Sequence, residues 1–149
     1  MQLQKDMPDH HDADLILKLY ELRREEVMRA SRQALGAQYW PMSAEEAVAP
    51  TRPDHPLNAA LRQVAGYWEM VFGMARHGIV HAGYLVENNG EGLFLYMRVE
   101  PFLDDIRRAT APTAFQHTEW AATHTDVGRA MMESLRTRFA ARLGGTARP

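Results

Sequence analysis

Between Val64 and Ala75 every residue is apolar, aromatic or glycine except one, Glu69. Around it, Leu57, Leu61, Val64, Trp68, Val71 and Ala75 recur at helical spacing, and Ala60, Tyr67 and Met74 widen the stripe. Gly66, Met70 and Gly73 form a second face of small or flexible residues, so the C-terminal half of this helix is apolar nearly all round. A helix of that kind must touch neighbours on two sides. It is also far short of the ~20 unbroken apolar residues that a membrane span needs. The expectation is a single-domain, all-α bundle built around a central helix at about 57–77, ended by Gly78.

The flanking segments supply the other helices. DADLILKLYELRREEVMRASRQALG reads as one long helix over 14–35, with Asp12 or Asp14 as its cap and Gly36 as its stop. Its stripe holds Ile16, Tyr20, Val27, Ala30 and Ala34. Ser43 and Glu46 form a capping-box pattern for a short helix at 43–48. The Pro-rich APTRPDHP that follows is a linker. Thr125 or Asp126 opens a last helix over 126–143, where Val127, Met131, Leu135, Phe139 and Leu143 repeat every four residues, and a short helix lies near 112–122. Residues 1–11 read as a flexible lead-in, 12–144 as the bundle domain and 145–149 as a tail.

Residues 79–99 admit two readings. The Asn89-Gly90 pair is a hairpin signal between two apolar runs. Against a hairpin, an isolated pair of strands in a helical protein is only marginally stable. Helix over 89–109 is favoured, with Asn88 or Asn89 as its cap and Pro101 either kinking it or starting a new one.

The middle of the chain resembles a family of short, uncharacterised bacterial all-helical proteins, a domain of unknown function. The likeness rests on YWE at 67–69, Gly78-Ile79 and EPFLDDIRR at 100–108, and covers roughly 58–108 together with LKLYELRREEVMR at 17–29. From Pro112 onward no similarity is seen. The resemblance implies an all-α fold and brings no activity with it.

Composition closes off several classes of chemistry. There is no cysteine, which excludes thiolate nucleophiles, disulfides and Cys-based zinc sites. A net charge of −2 gives no global attraction for nucleic acid or anionic lipid, although Arg129, Arg136, Arg138 and Arg142 load the last helix with positive charge. Of the 17 basic residues only Lys5 and Lys18 are lysines, a bias that suits planar, paired contacts with carboxylates. No secretory leader is evident, so a cytoplasmic location is expected. No phosphate-binding glycine loop or serine nucleophile elbow is found, and no catalytic residue or cofactor is assigned.

The candidate site residues cluster near the central helix. Glu69 must be protonated or find a partner, because an unpaired buried charge costs several kcal/mol. One reading makes it a general acid, a general base or a metal ligand. The other, favoured, makes it half of a core ion pair with Arg23, Arg98 or Arg107. Tyr67, Trp68, Glu69 and Arg98 together are candidates for a ligand pocket or for that ion pair. His77 and His81, four apart, are weak metal candidates, since Gly78 interrupts the helix that would align them. His117 and His124 flank Trp120 without a metal-binding pattern.

These residues point first to a non-enzymatic module that self-associates as a homo-oligomer or binds a protein partner. The alternative is a small-ligand or metal-binding bundle, enzymatic or not, using Glu69 with His77 and His81. A nucleic-acid contact by the last helix ranks third.

Overall fold

A computed structural model describes residues 5–144. The expected lead-in residues 1–4 and the tail 145–149 lie outside the described residues. The chain is all-α, with no strand among the described residues. Its helices are α1 (His10–Arg23), α2 (Glu26–Gln38), α3 (Ala44–Val48), α4 (Asn58–Arg76), α5 (Ala82–Asn88), α6 (Gly92–Val99), α7 (Leu103–Ala109), α8 (Gln116–His124) and α9 (Asp126–Arg138). None is long and apolar enough to cross a membrane.

α4 is the axis of the fold, packed chiefly against α8 and α2. Val64, Trp68, Val71, Phe72 and Ala75 are all buried along it. Its end is a Schellman motif. Gly78 takes a left-handed conformation at φ 73°, its N–H donates to Ala75, and the Ile79 N–H donates to the Met74 carbonyl. The second, small-residue face is only partly covered, since Gly66 and Met70 are exposed while Gly73 lies beneath the His117 ring.

The single helix expected over 14–35 is two. α1 stops at Arg23, and Glu25 begins α2 by accepting the N–H groups of Val27 and Met28 on its own carboxylate. A carboxylate in that position satisfies free N–H groups and favours the helix dipole. The break changes which side chains face inward. Ile16 and Leu19 are buried, whereas Tyr20 and Val27, expected in the core stripe, are 46% and 56% exposed. The cap of α1 is Asp9 rather than Asp12 or Asp14. Asp12, at the third helical position, completes a capping box with it.

The Asn-Gly signal separates two helices rather than two strands. α5 ends at Asn88, and the buried Asn89 amide donates to the Leu85 carbonyl that the helix end leaves free. α6 begins only at Gly92, where an added Cβ would lie 2.6 Å from Trp68 and 2.5 Å from Phe72. Glycine there lets the turn sit directly on α4. Pro101 lies in a 3-10 turn, Glu100–Phe102, that joins α6 to α7, so the helix expected over 89–109 is also divided. α8 starts at Gln116 rather than Pro112, and α9 gives way near its end to a 3-10 turn, Ala140–Arg142.

Candidate functional site

Glu69 points at another helix end. Its carboxylate accepts the backbone N–H of His117 at 3.2 Å, the N–H of Thr118 at 2.8 Å and the Thr118 hydroxyl at 2.7 Å. These groups open α8, whose own N-cap residue, Phe115, supplies no side-chain acceptor and sits in the left-handed region at φ 60°. α4 therefore caps α8 in place of a local residue, a charged hydrogen-bond arrangement that the helix dipole reinforces.

The three arginines expected as partners of Glu69 are engaged elsewhere. Arg23 pairs with Glu91, Arg107 holds the Ala114 carbonyl and Glu119, and Arg98 binds backbone. Among the described residues the ion pairs include none to Glu69. Sequence pattern alone did not expose this, because the acceptor demand comes from α8, distant in the chain.

The histidines also separate. The His81 ring caps α5 by accepting the Tyr84 N–H on Nδ1 at 2.9 Å, and the His81 backbone N–H donates to Asp12 at 3.2 Å. His77 instead faces His117, with ring centroids 5.7 Å apart. The His117 Nδ1 is buried without a hydrogen-bond partner. A metal on its Nε2 would leave the ring proton on Nδ1 with no acceptor, the reverse of the usual support for a histidine ligand. No group of three or more potential ligands among His, Asp and Glu is placed to hold a metal among the described residues.

Tyr67, Trp68 and Arg98 lie on the other side of α4, toward α2. The Tyr67 hydroxyl donates to the Leu19 carbonyl at 2.7 Å, fixing α1 to α4. Trp68 is almost wholly buried, stacked on Phe72. Arg98 is only 3% exposed. Its Nη1 donates to the carbonyls of Leu35 and Tyr39 at 2.7 and 2.8 Å, and its Nε to that of Phe94 at 3.3 Å. The guanidinium thus closes the C-terminal end of α2, where a cation is favoured, and packs against the rings of Trp40 and Phe94. Burial lowers its pKa to about 10, which leaves it charged at neutral pH.

Trp68 and Arg98 form the floor of a cleft of about 390 Å³ whose rim carries Arg24, Arg29 and Arg32. Glu91 is its one carboxylate. It binds Arg32 directly and Arg23 at 3.5 Å, and Arg32 also donates to the Arg23 carbonyl at 2.9 Å. Arg24 lies over the Tyr20 ring, 5.0 Å from its centroid, and donates to the Tyr20 hydroxyl at 3.2 Å. The cleft therefore carries four guanidinium groups against one acid. Reasoning from sequence singled out only Arg98 among these four. The signal for the rest was the arginine-rich RREEVMRASR, which the expectation of one continuous helix over 14–35 passed over.

The profile of one sequence family, Domain of unknown function (DUF4760), matches residues 8–125. The chain belongs to the DUF4760 family. The match runs from the Asp9 cap through α8, so the DUF4760 region contains the Glu69–Thr118 bracket, the arginine cleft and segments beyond Pro112 where no similarity was expected; α9 lies outside it. No curated protein and no solved structure matches the chain.

Proposed function

We propose that this DUF4760 protein is a non-enzymatic module that binds a protein partner, receiving an acidic, apolar-flanked segment at the arginine cleft. The observation that carries this reading is the excess of four guanidinium groups over one carboxylate around an open cleft whose lining also includes Leu35, Val64, Trp68, Phe94 and Leu95. Planar arginines suit carboxylates, and a surface of Arg and Tyr without Lys has the composition of interface cores.

A second feature favours a macromolecule over a small anion. Arg24 links the cleft to the exposed Tyr20 of α1, and α1 and α2 carry two further exposed apolar side chains, Leu17 and Val27. The guanidinium groups of Arg23 and Arg24 lie 5.4 and 5.0 Å from the centroid of the Tyr20 ring, so this side chain is partly ordered before any partner arrives. The non-enzymatic half of the reading rests on occupation. Glu69, His81 and Arg98, the side chains best suited to chemistry, each close a helix end.

The test is fluorescence anisotropy with a short peptide alternating glutamate and leucine, against a counterpart with lysine for glutamate. The acidic peptide should bind saturably, more weakly as salt rises, and Arg24→Glu with Arg29→Glu should weaken it by at least about tenfold, or 1.4 kcal/mol. Equal binding of both peptides, or no loss in the double variant, would overturn the reading.

A further inference from the structure

On a different face of α4 from the arginine cleft, the surface carries a hollow of about 340 Å³ between α4, α7 and the start of α8. Its walls are Leu61, Ala65, Ile106, Ala114 and Phe115, and Arg62 stands at its rim. We propose that this hollow binds a small amphipathic monocarboxylate, with the apolar tail inside it and the carboxylate on Arg62.

Two local costs border the same space. Gly66 lies inside α4, where glycine is less favourable than alanine by roughly 0.5–1 kcal/mol. No packing demand accounts for it, since an added Cβ would meet nothing within 4 Å. Gly66 is itself part of the lining of the hollow. Phe115 holds a left-handed φ of 60°, a genuine outlier for a bulky residue, and the residue is only 8% exposed in the wall. Just after it, Glu69 grips the N–H groups of His117 and Thr118 in the first turn of α8. Departures from local preference that gather at one concave, mostly apolar surface are the pattern of a binding site.

The ligand's charge follows from the lining. Arg62 is its one cationic residue, and that guanidinium makes no hydrogen bond or ion pair among the described residues. The hydroxyls of Thr51 and Thr110 already donate to Val48 and Ile106, and the Asn58 amide donates to Pro50. Glu69 also lines the hollow, and its carboxylate is held by the His117 and Thr118 N–H groups, so a dianion such as a phosphate ester would meet about twice the repulsion that a monocarboxylate does, with the same single guanidinium to offset it. One guanidinium beside an apolar hollow matches one carboxylate on an apolar tail.

The experiment uses the full chain, with octanoate and octanol as probes followed by calorimetry and amide chemical shifts. Octanoate should bind saturably, more tightly than octanol, and shift the amides around Gly66 and Phe115. Gly66→Leu adds apolar bulk at the lining, where an added Cβ meets no neighbour within 4 Å, and is chosen to obstruct the hollow. It should melt no lower than the wild type and weaken octanoate binding by at least about tenfold. Arg62→Met should remove the preference for octanoate over octanol and retain octanol binding. The proposal is overturned by an absence of saturable binding, by equal affinity of the wild type for the two probes, or by undiminished octanoate binding in folded Gly66→Leu. Shifts confined to the arginine cleft would overturn it too.

Discussion

Glu69 of α4 holds Thr118 of α8 by two hydrogen bonds, one from the backbone N–H at 2.8 Å and one from the hydroxyl at 2.7 Å. The two residues are 49 positions apart, so a single carboxylate ties the middle of the chain to the start of its penultimate helix. Removing it with Glu69→Ala strips α8 of its only acceptor cap among the described residues and should cost about 2 kcal/mol in urea denaturation. Glu69→Gln keeps one acceptor oxygen and should cost less. Amide hydrogen exchange should accelerate first at 117–119 in both. Unchanged exchange there would show that α8 does not depend on this bracket.

Why α4 was legible and its acid's partner was not has a physical answer. The period of Leu57, Leu61, Val64, Trp68 and Val71 is a property of one helix, and burial enforces it. The partner of Glu69 is a set of backbone N–H groups at a helix start, which no side-chain pattern announces. Sequence reasoning therefore looked for a guanidinium and found three, each committed elsewhere. The break between α1 and α2 was legible in principle, since Glu25-Glu26 is an acidic helix start inside an apolar period. Reading through it put Tyr20 and Val27 in the core and hid the cleft rim, because Arg24, Arg29 and Arg32 come together only after the chain bends. Asn89-Gly90 failed as a hairpin signal for a similar reason. The Asn89 side chain satisfies a helix C-terminus, and tertiary packing under Gly92 fixes the turn.

Arg98 should behave as a structural cation as well as the floor of the cleft. Arg98→Met leaves the Leu35 and Tyr39 carbonyls without their buried donor and should destabilise the protein by about 2–3 kcal/mol. Arg98→Lys keeps the charge but cannot reach three carbonyls with a planar fork, so it should recover only part of that loss. Chemical denaturation of the two variants checks the order. Equal stability of both with the wild type would mean that the α2 end is held by packing alone.

Asp12 gives the fold an acid-sensitive joint. Burial pushes its pKa up, but the Lys5 ammonium and the N–H groups of Asp9 and His81 outweigh that and hold it below the usual 3.8. A carboxyl depressed in the folded state contributes stability that is fully present above its unfolded pKa and is lost as pH falls through the folded one. Melting temperatures of the wild type and Asp12→Asn should therefore differ by a constant amount near neutrality and converge below about pH 4. A gap that persists at lower pH would assign the effect to shape rather than charge.

Leu17, Tyr20 and Val27 separate folding from recognition. All three are exposed, so Tyr20→Ser with Val27→Ser removes little buried surface and should change stability by no more than about 0.5 kcal/mol. The same variant should weaken binding of the glutamate–leucine peptide, because aromatic side chains beside arginines carry a disproportionate share of interface energy. Arg24 would also lose the ring and hydroxyl that now position it over Tyr20, compounding the loss. Anisotropy and thermal melting on one preparation decide the matter. Undiminished peptide binding by a fully folded variant would confine recognition to the cleft itself, and a large fall in melting temperature would return Tyr20 and Val27 to the core.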